Sequence, residues 1–207
     1  MVESGTEKPR KTAYHHGDLR ATLLRAAEEE LDERGIEGFT LRGCAKRAGV
    51  SHAAPTHHFG DANGLLTALA AVGFERFLEV QTRVQAEAGA DARARHTAAG
   101  LGYIRFALEN PELFRLMFSS RRADFSDAAL QKTAMQSFDA LLGSIAALRG
   151  VNPREDQPAM LDVLASWALA HGLSDLLLSG RMLTLADMPG ETRERTLAEI
   201  FTRSLRD

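Results

Sequence analysis

Eight consecutive residues, Ser51-His52-Ala53-Ala54-Pro55-Thr56-His57-His58, combine three imidazoles and two hydroxyls with very small side chains. Imidazole can hold a metal, move a proton or hydrogen-bond a polar surface. Metal sites draw three or four converging ligands. Neither a cysteine nor a carboxylate joins these histidines, or His15 and His16, at ligand spacing, so no metal is expected. A helix that enters the DNA major groove must expose short polar or small residues at its N-terminal end, so that backbone and side chains approach base edges. Ser51, His52, Ala53 and Ala54 meet that need. His52 can hydrogen-bond a base edge, and the methyl groups of Ala53 and Ala54 can meet thymine methyls. Thr56, His57 and His58 offer further donors for phosphate. The plain alternative is a polar helix face with His58 or Phe59 packed inward.

A second grouping places His171 and Asp175 four residues apart on one helix face, with Ser174 beside them. No nucleophile elbow, Gly-rich phosphate loop or paired catalytic carboxylates accompany it, so a surface or core hydrogen bond explains it more simply and no enzymatic activity is expected. No cofactor is expected either.

The formal net charge of −3 excludes coating of nucleic acid or membrane by bulk charge, so any contact with a polyanion must be local. From Gly38 to Gly60 the chain carries Arg42, Lys46, Arg47 and three histidines with no Asp or Glu, which makes that stretch a basic face. Lys8, Arg10 and Lys11 lie in a segment too poor in apolar surface to pack. Residues 1–17 are therefore expected to form a basic arm, with Lys11 a candidate DNA contact and a solvated tail the alternative. The single cysteine, Cys44, cannot form an intrachain disulfide and falls among Leu41, Ala45 and Ala48, where packing is its expected role. No apolar run is expected to approach the roughly 20 residues of a membrane span, and no signal-peptide region precedes the first helix, so a cytoplasmic protein is expected.

The elements that must position these groups are read from apolar spacing and capping residues. Asp18 precedes Leu19, Leu23, Ala26, Ala27 and Leu31 at helical steps, with Gly35 as the stop. Thr40 caps a short helix to Ala48, Gly49 allows a tight turn, and Ser51 caps a second short helix towards Phe59: a helix-turn-helix. Asp61 opens a longer helix carrying Leu66, Leu69, Gly73, Phe77, Val80 and Val84 towards Gly89. Thr97, Leu101, Ile104 and Leu108 follow up to Asn110-Pro111, then Glu112 to Phe118. Ser126 caps a segment bearing Leu130, Ala134, Phe138, Leu141, Ile145 and Leu148, closed by Gly150. Met160 to Ser179 is apolar around most of its circumference and is expected to be buried on several sides. A last amphipathic helix carries Leu197, Ile200, Phe201 and Leu205. The expectation is an all-α fold of about nine helices: arm 1–17, helix-turn-helix domain 18–65 and helical domain 66–207.

Phe39-Thr40-Leu41-Arg42, Ala48-Gly49-Val50-Ser51 and His58-Phe59 followed by Asp61 and Leu65 resemble, in order and spacing, the DNA-binding domain of the TetR family of bacterial regulators. Tyr14 to Arg20 and His52 to Pro55 are similar to one subgroup. The resemblance implies DNA contacts from Arg42, Ser51, His52, Ala53, Ala54, Thr56 and His57. In two places this chain departs from the family, with Thr56 where a tyrosine is usual and Ala62 where a lysine is usual. Both family residues typically touch phosphate, so the departures imply a shallower salt dependence. They also motivate an alternative, a helical small-molecule-binding protein with weakened or lost DNA recognition.

The remaining two-thirds resembles the family's regulatory domain. Trp167-Ala168-Leu169-Ala170-His171-Gly172 matches the class marked by tryptophan, histidine and glycine, and Tyr103 to Ala107 and Asn110 to Phe118 fit it too. Bundle interiors are common ligand sites, and the candidate lining here is Phe74, Phe77, Tyr103, Phe106, Phe114, Met117, Phe138, Trp167 and His171. Any one of these is more often plain core, and a buried His171 needs a polar partner. The resemblance implies a ligand-responsive repressor that acts as a homodimer on a palindromic operator. The segments around Leu161 to Leu178 and Leu197 to Leu205 would pair, with Ala165, Ala168 and Gly172 allowing close approach.

Overall fold

A computed structural model describes residues 16–204, with side chains from Leu19 onward. Lys8, Arg10 and Lys11 of the expected arm lie outside the described residues, whereas His16 and Gly17 already begin the first helix. Ten helices follow one another: α1 His16–Gly38, α2 Leu41–Ala48, α3 Ala53–Phe59, α4 Ala62–Glu87, α5 Ala92–Glu109, α6 Pro111–Phe118, α7 Ala128–Arg149, α8 Gln157–Leu178, α9 Leu183–Ala186 and α10 Gly190–Ser204. No strand occurs among the described residues. The four-residue α9 has no counterpart among the expected elements. It is too short to show a period.

Capping residues set most boundaries. Thr40, Asp61, Asp91, Asp127 and Asp156 each accept a backbone N–H in the first turn of the helix that follows. Three expected caps differ. Asp18 falls inside α1, which starts two residues earlier. Ser126 yields to Asp127, whose carboxylate accepts from both Ala129 and Leu130 at 3.0 Å, and Ser126 bonds Asp124 instead. Helix α3 starts at Ala53 after an αR His52, and Ser51 contributes its carbonyl, accepting from Ala54 N–H at 3.0 Å. Gly35, at φ 66, breaks the path of α1 before its last turn.

One apolar cluster runs from Leu24 and Leu31 through Leu66, Phe74, Phe77, Phe106 and Phe114 to Leu197 and Phe201. Helix α4 lies at its centre, against α5, α6 and α7 on one side and α1 and α3 on the other. The boundary expected at residues 65 and 66 falls within its first turns. Leu142, Ile145, Ala159 and Val163 form a smaller cluster between α7 and α8.

Helix α8 is long and apolar enough by length and composition to cross a membrane, a property that bundle core helices share, and Asp162 and Asp175 interrupt its apolar run. It corrects one expectation: it is not buried on several sides, because Leu161, Leu164 and Trp167 remain 59%, 46% and 41% exposed. Its other side packs on α5 and α7, as the core helix of a bundle does.

Helices α1 and α2 are locked together by a buried carboxylate. Glu30 on α1, 5% exposed, accepts from Arg47 Nε at 2.8 Å and from Thr40 Oγ1 at 3.2 Å, and Arg47 also pairs with Glu33. A Cβ on Gly43 would stand 1.9 Å from a Glu30 oxygen, so only glycine lets α2 come this close. Gly43→Ala is expected to destabilise the fold by about 2 kcal/mol through overpacking. Gly143→Ala, whose Cβ meets nothing within 4 Å, should be neutral or up to about 1 kcal/mol stabilising through helix propensity. Urea unfolding of both variants checks this.

Candidate functional site

Two surfaces bring the candidate residues together. On the first, α2 turns into α3 through Gly49 at φ 66, ψ 31, where its N–H closes back on Lys46. The turn leaves Ser51, His52, Ala53, Thr56 and His57 exposed, Ala54 half-buried and Pro55 buried. Arg42 is exposed near the start of α2. Phe59 packs on the core beneath Arg20, whose guanidinium carbon lies 5.3 Å from the ring centre. His58 is half-buried with its ring against Phe59. The surface therefore keeps the expected polar and small residues outward.

The basic face is smaller than its sequence implies. Arg47 is engaged by Glu30 and Glu33, two carboxylates brought from α1, and this leaves Arg42 and Lys46 outward. The Glu30 partnership was not visible in the window from Gly38 to Gly60, because it spans 17 residues. Cys44 is fully buried, and burial together with Glu30 pushes its thiol up to about 12, so it stays a neutral packing group. Among the described residues no group of three His, Cys, Asp or Glu converges.

The second surface is a cavity of about 640 Å³ enclosed by α4, α5, α7 and α8 with parts of α6 and α10. Phe74, Phe77, Tyr103, Met117, Phe138 and Trp167 line it. Phe106, Phe114 and His171 do not. Phe106 stands behind Phe77, ring centres 5.3 Å apart, and Phe114 lies against Tyr103 and Phe118. His171 has the polar partner it requires in Tyr103, its Nδ1 lying 3.0 Å from the phenol oxygen, and packs against the adjoining Phe114 and Phe118 rings. Burial raises the Tyr103 phenol pKa, with Trp167 acting in the opposite direction.

The polar side of the cavity was not foreseen. His96, 3% exposed, holds Ser144 on α7 at 2.9 Å from Nδ1 and Ser166 on α8 at 3.2 Å from Nε2. Gln81 and Gln85, one turn apart on α4, lie on the same wall. The signal was present in the helical phase: Gln81 follows Phe74 and Phe77 on the inward stripe, and His96 precedes Gly100 and Tyr103. Polar residues in an apolar phase mark a lined cavity.

Residues 96–200 match the family described as "Tetracyclin repressor-like, C-terminal domain", and residues 23–69 match "Bacterial regulatory proteins, tetR family". The chain is 27% identical over 186 residues to the HTH-type transcriptional regulator BetI of Paraburkholderia phytofirmans, covering 78% of this chain and 94% of that one. A protein of unknown function from Rhodococcus sp. RHA1 superposes with a TM-score of 0.76 at 33% identity, covering 95% of this chain and all of the other. A putative TetR-family transcriptional regulator from Rhodococcus sp. gives 0.59 at 26% identity, covering 92% of this chain and 100% of its own.

Burial lowers the His96 pKa to about 4 from an ordinary 6.5, so the folded protein holds a neutral imidazole. As pH falls from 6.5 towards 4 the unfolded chain takes a proton that the folded one refuses, and stability is lost across that window. Between pH 7 and 4.5 this group is expected to remove about 2 to 3 kcal/mol. His96→Asn should show a correspondingly flatter pH dependence in urea unfolding, and equal slopes for the two proteins would contradict it.

Proposed function

This chain belongs to the TetR family of bacterial regulatory proteins, which are DNA-binding transcriptional regulators, and we propose that it is a homodimeric, effector-responsive repressor acting in the cytoplasm on a two-fold operator. The observation that carries this reading is the exposed N-terminal end of α3, with Ser51, His52 and Ala53 outward on a body locked by Glu30 and Arg47. His52, Ala53 and Ala54 read base edges. Thr56, His57, Arg42 and, from the arm, Lys11 meet phosphate. The regulatory domain is of the Trp-His-Gly class, supported by Trp167, His171 and Gly172 on one helix. No catalytic role is assigned to any residue.

Dimerisation uses the exposed side of α8. Leu161, Leu164, Ala165 and Ala168 form an outward apolar stripe with small residues at its middle, which a second copy covers by close helix packing. The effector occupies the cavity, lined by Phe77, Tyr103, Met117, Phe138 and Trp167.

Coupling between cavity and reading head runs through residues 119–127. Phe125 lines the cavity against Phe74, ring centres 6.3 Å apart. Asp124 N–H donates to Thr67 Oγ1 at 2.9 Å. Arg122 donates from Nε to Asn63 Oδ1 at 2.6 Å and from Nη1 to the Ile36 carbonyl at 3.0 Å, tying the segment to α4 and to the end of α1. A ligand that moves Phe125 therefore moves the support of the helix-turn-helix.

DNA binding is tested by fluorescence anisotropy on a labelled fragment from upstream of the protein's own gene. Arg42→Ala should weaken binding and reduce the salt slope by about one, whereas Ala62→Lys should strengthen it and add about one. No binding by the wild-type protein at low salt would overturn the reading. Arg122→Ala should retain DNA binding, but a ligand that weakens wild-type binding by the roughly 5- to 150-fold typical of allosteric coupling should change its DNA affinity much less. The same assay with and without ligand measures this.

A further inference from the structure

The cavity's lining defines the chemistry of what it holds. None of its described lining residues is Asp, Glu, Lys or Arg, so nothing there compensates a buried charge on a ligand. Its polar groups are all uncharged, among them Gln81 and Gln85 on α4, His96 with Ser144 and Ser166, and Gln131 and Ser137 on α7. Gln81 is only 8% exposed, lies on the wall and makes no hydrogen bond to another described side chain or backbone group. Gln85 follows one turn later on the same face. No polar side-chain atom of the described residues is both sealed from solvent and without a partner, so the Gln81 carboxamide opens onto the cavity, where a bound molecule can supply its hydrogen bond.

Resting on the reading of this cavity as the effector site, we infer that the effector is a neutral amphiphile, its hydrogen-bonding head held by Gln81 and Gln85 and its apolar body lying along Phe74, Phe118 and Phe125. The two carboxamides each offer a donor and an acceptor, which suits an alcohol, amide or carbonyl head. His96 reinforces the selection. With both ring nitrogens engaged by Ser144 and Ser166, and burial keeping the imidazole uncharged, it supplies no cation for an anionic head. Aromatic walls can also attract a quaternary ammonium through their ring faces. Here Phe77 already packs against Tyr103, Phe106 and Phe118, and no carboxylate stands in the described lining to balance a cation placed on the remaining rings, Phe125, Phe138 and Trp167. The orientation also places the apolar end of the ligand on Phe125, the residue that leads to Arg122.

The test titrates the full-length protein at pH 8 with decan-1-ol, decanoate and decyltrimethylammonium, which share one chain length and differ in charge, by isothermal calorimetry. Decan-1-ol is expected to bind at least tenfold more tightly than either ion, about one decade in Kd. Gln81→Leu, shown to be folded by circular dichroism, should weaken decan-1-ol roughly five- to tenfold through loss of the head contact. Gln85→Leu, at a half-buried position, provides the same comparison if the first variant does not fold. Equal or tighter binding of either ion overturns the inference while leaving the cavity as the effector site. Unchanged decan-1-ol affinity in the glutamine variants also overturns it. Failure of all three probes to bind overturns both.

Discussion

Helix α4 belongs to both halves of the molecule at once, and the rest of the structure depends on that shared burial. Its first turns pack on α1 and α3, and its middle carries Phe74, Phe77, Gln81 and Gln85 to the cavity. At 1.5 Å per residue its 26 residues span about 39 Å, so one stiff rod connects a reading surface to a ligand wall. A single contiguous core on both sides of it means that neither half repacks alone. Arg122 adds a second connection beside the first.

Two buried polar groups show opposite solutions to the same desolvation problem. Glu30 stays in its place because Arg47 and Thr40 bond it, and Gly43 leaves room for it. The pairing holds α1 and α2 together as one rigid support for the head. His96 has no opposite charge bonded to it and is held neutral between two serines, joining α5, α7 and α8 without placing a charge beside the cavity. The first solution makes a surface that can be presented to DNA. The second makes an interior suited to an uncharged molecule.

The fold was largely readable from local signals. Helical periods, Thr40, Asp61, Gly49 and Asn110-Pro111 act within a few residues of one another, and the all-α architecture and the α2–α3 turn follow from them. What escaped depends on distant partners. Arg47 read as a free cation because Glu30 lies 17 residues away, and Arg122 drew no notice because Ile36 lies 86 away. His171 was placed in the cavity, yet the phenol of Tyr103, 68 residues distant, engages it outside the lining. Ser126 escaped for a local reason: the charged carboxylate of Asp127, one residue on, is the stronger acceptor and takes both the Ala129 and Leu130 N–H groups. Helix α8 was expected to be buried because apolar residues surround it, and a single chain covers only one of its sides.

The central claim is that the exposed end of α3 reads a specific DNA sequence in a two-fold arrangement. Sequencing the genomic fragments retained by the purified protein tests it most directly. Enrichment of a shared palindromic motif is expected, with half-sites centred about one helical turn of DNA or a multiple of it apart. Retained fragments that match the input library, with no motif enriched at low salt, would contradict it.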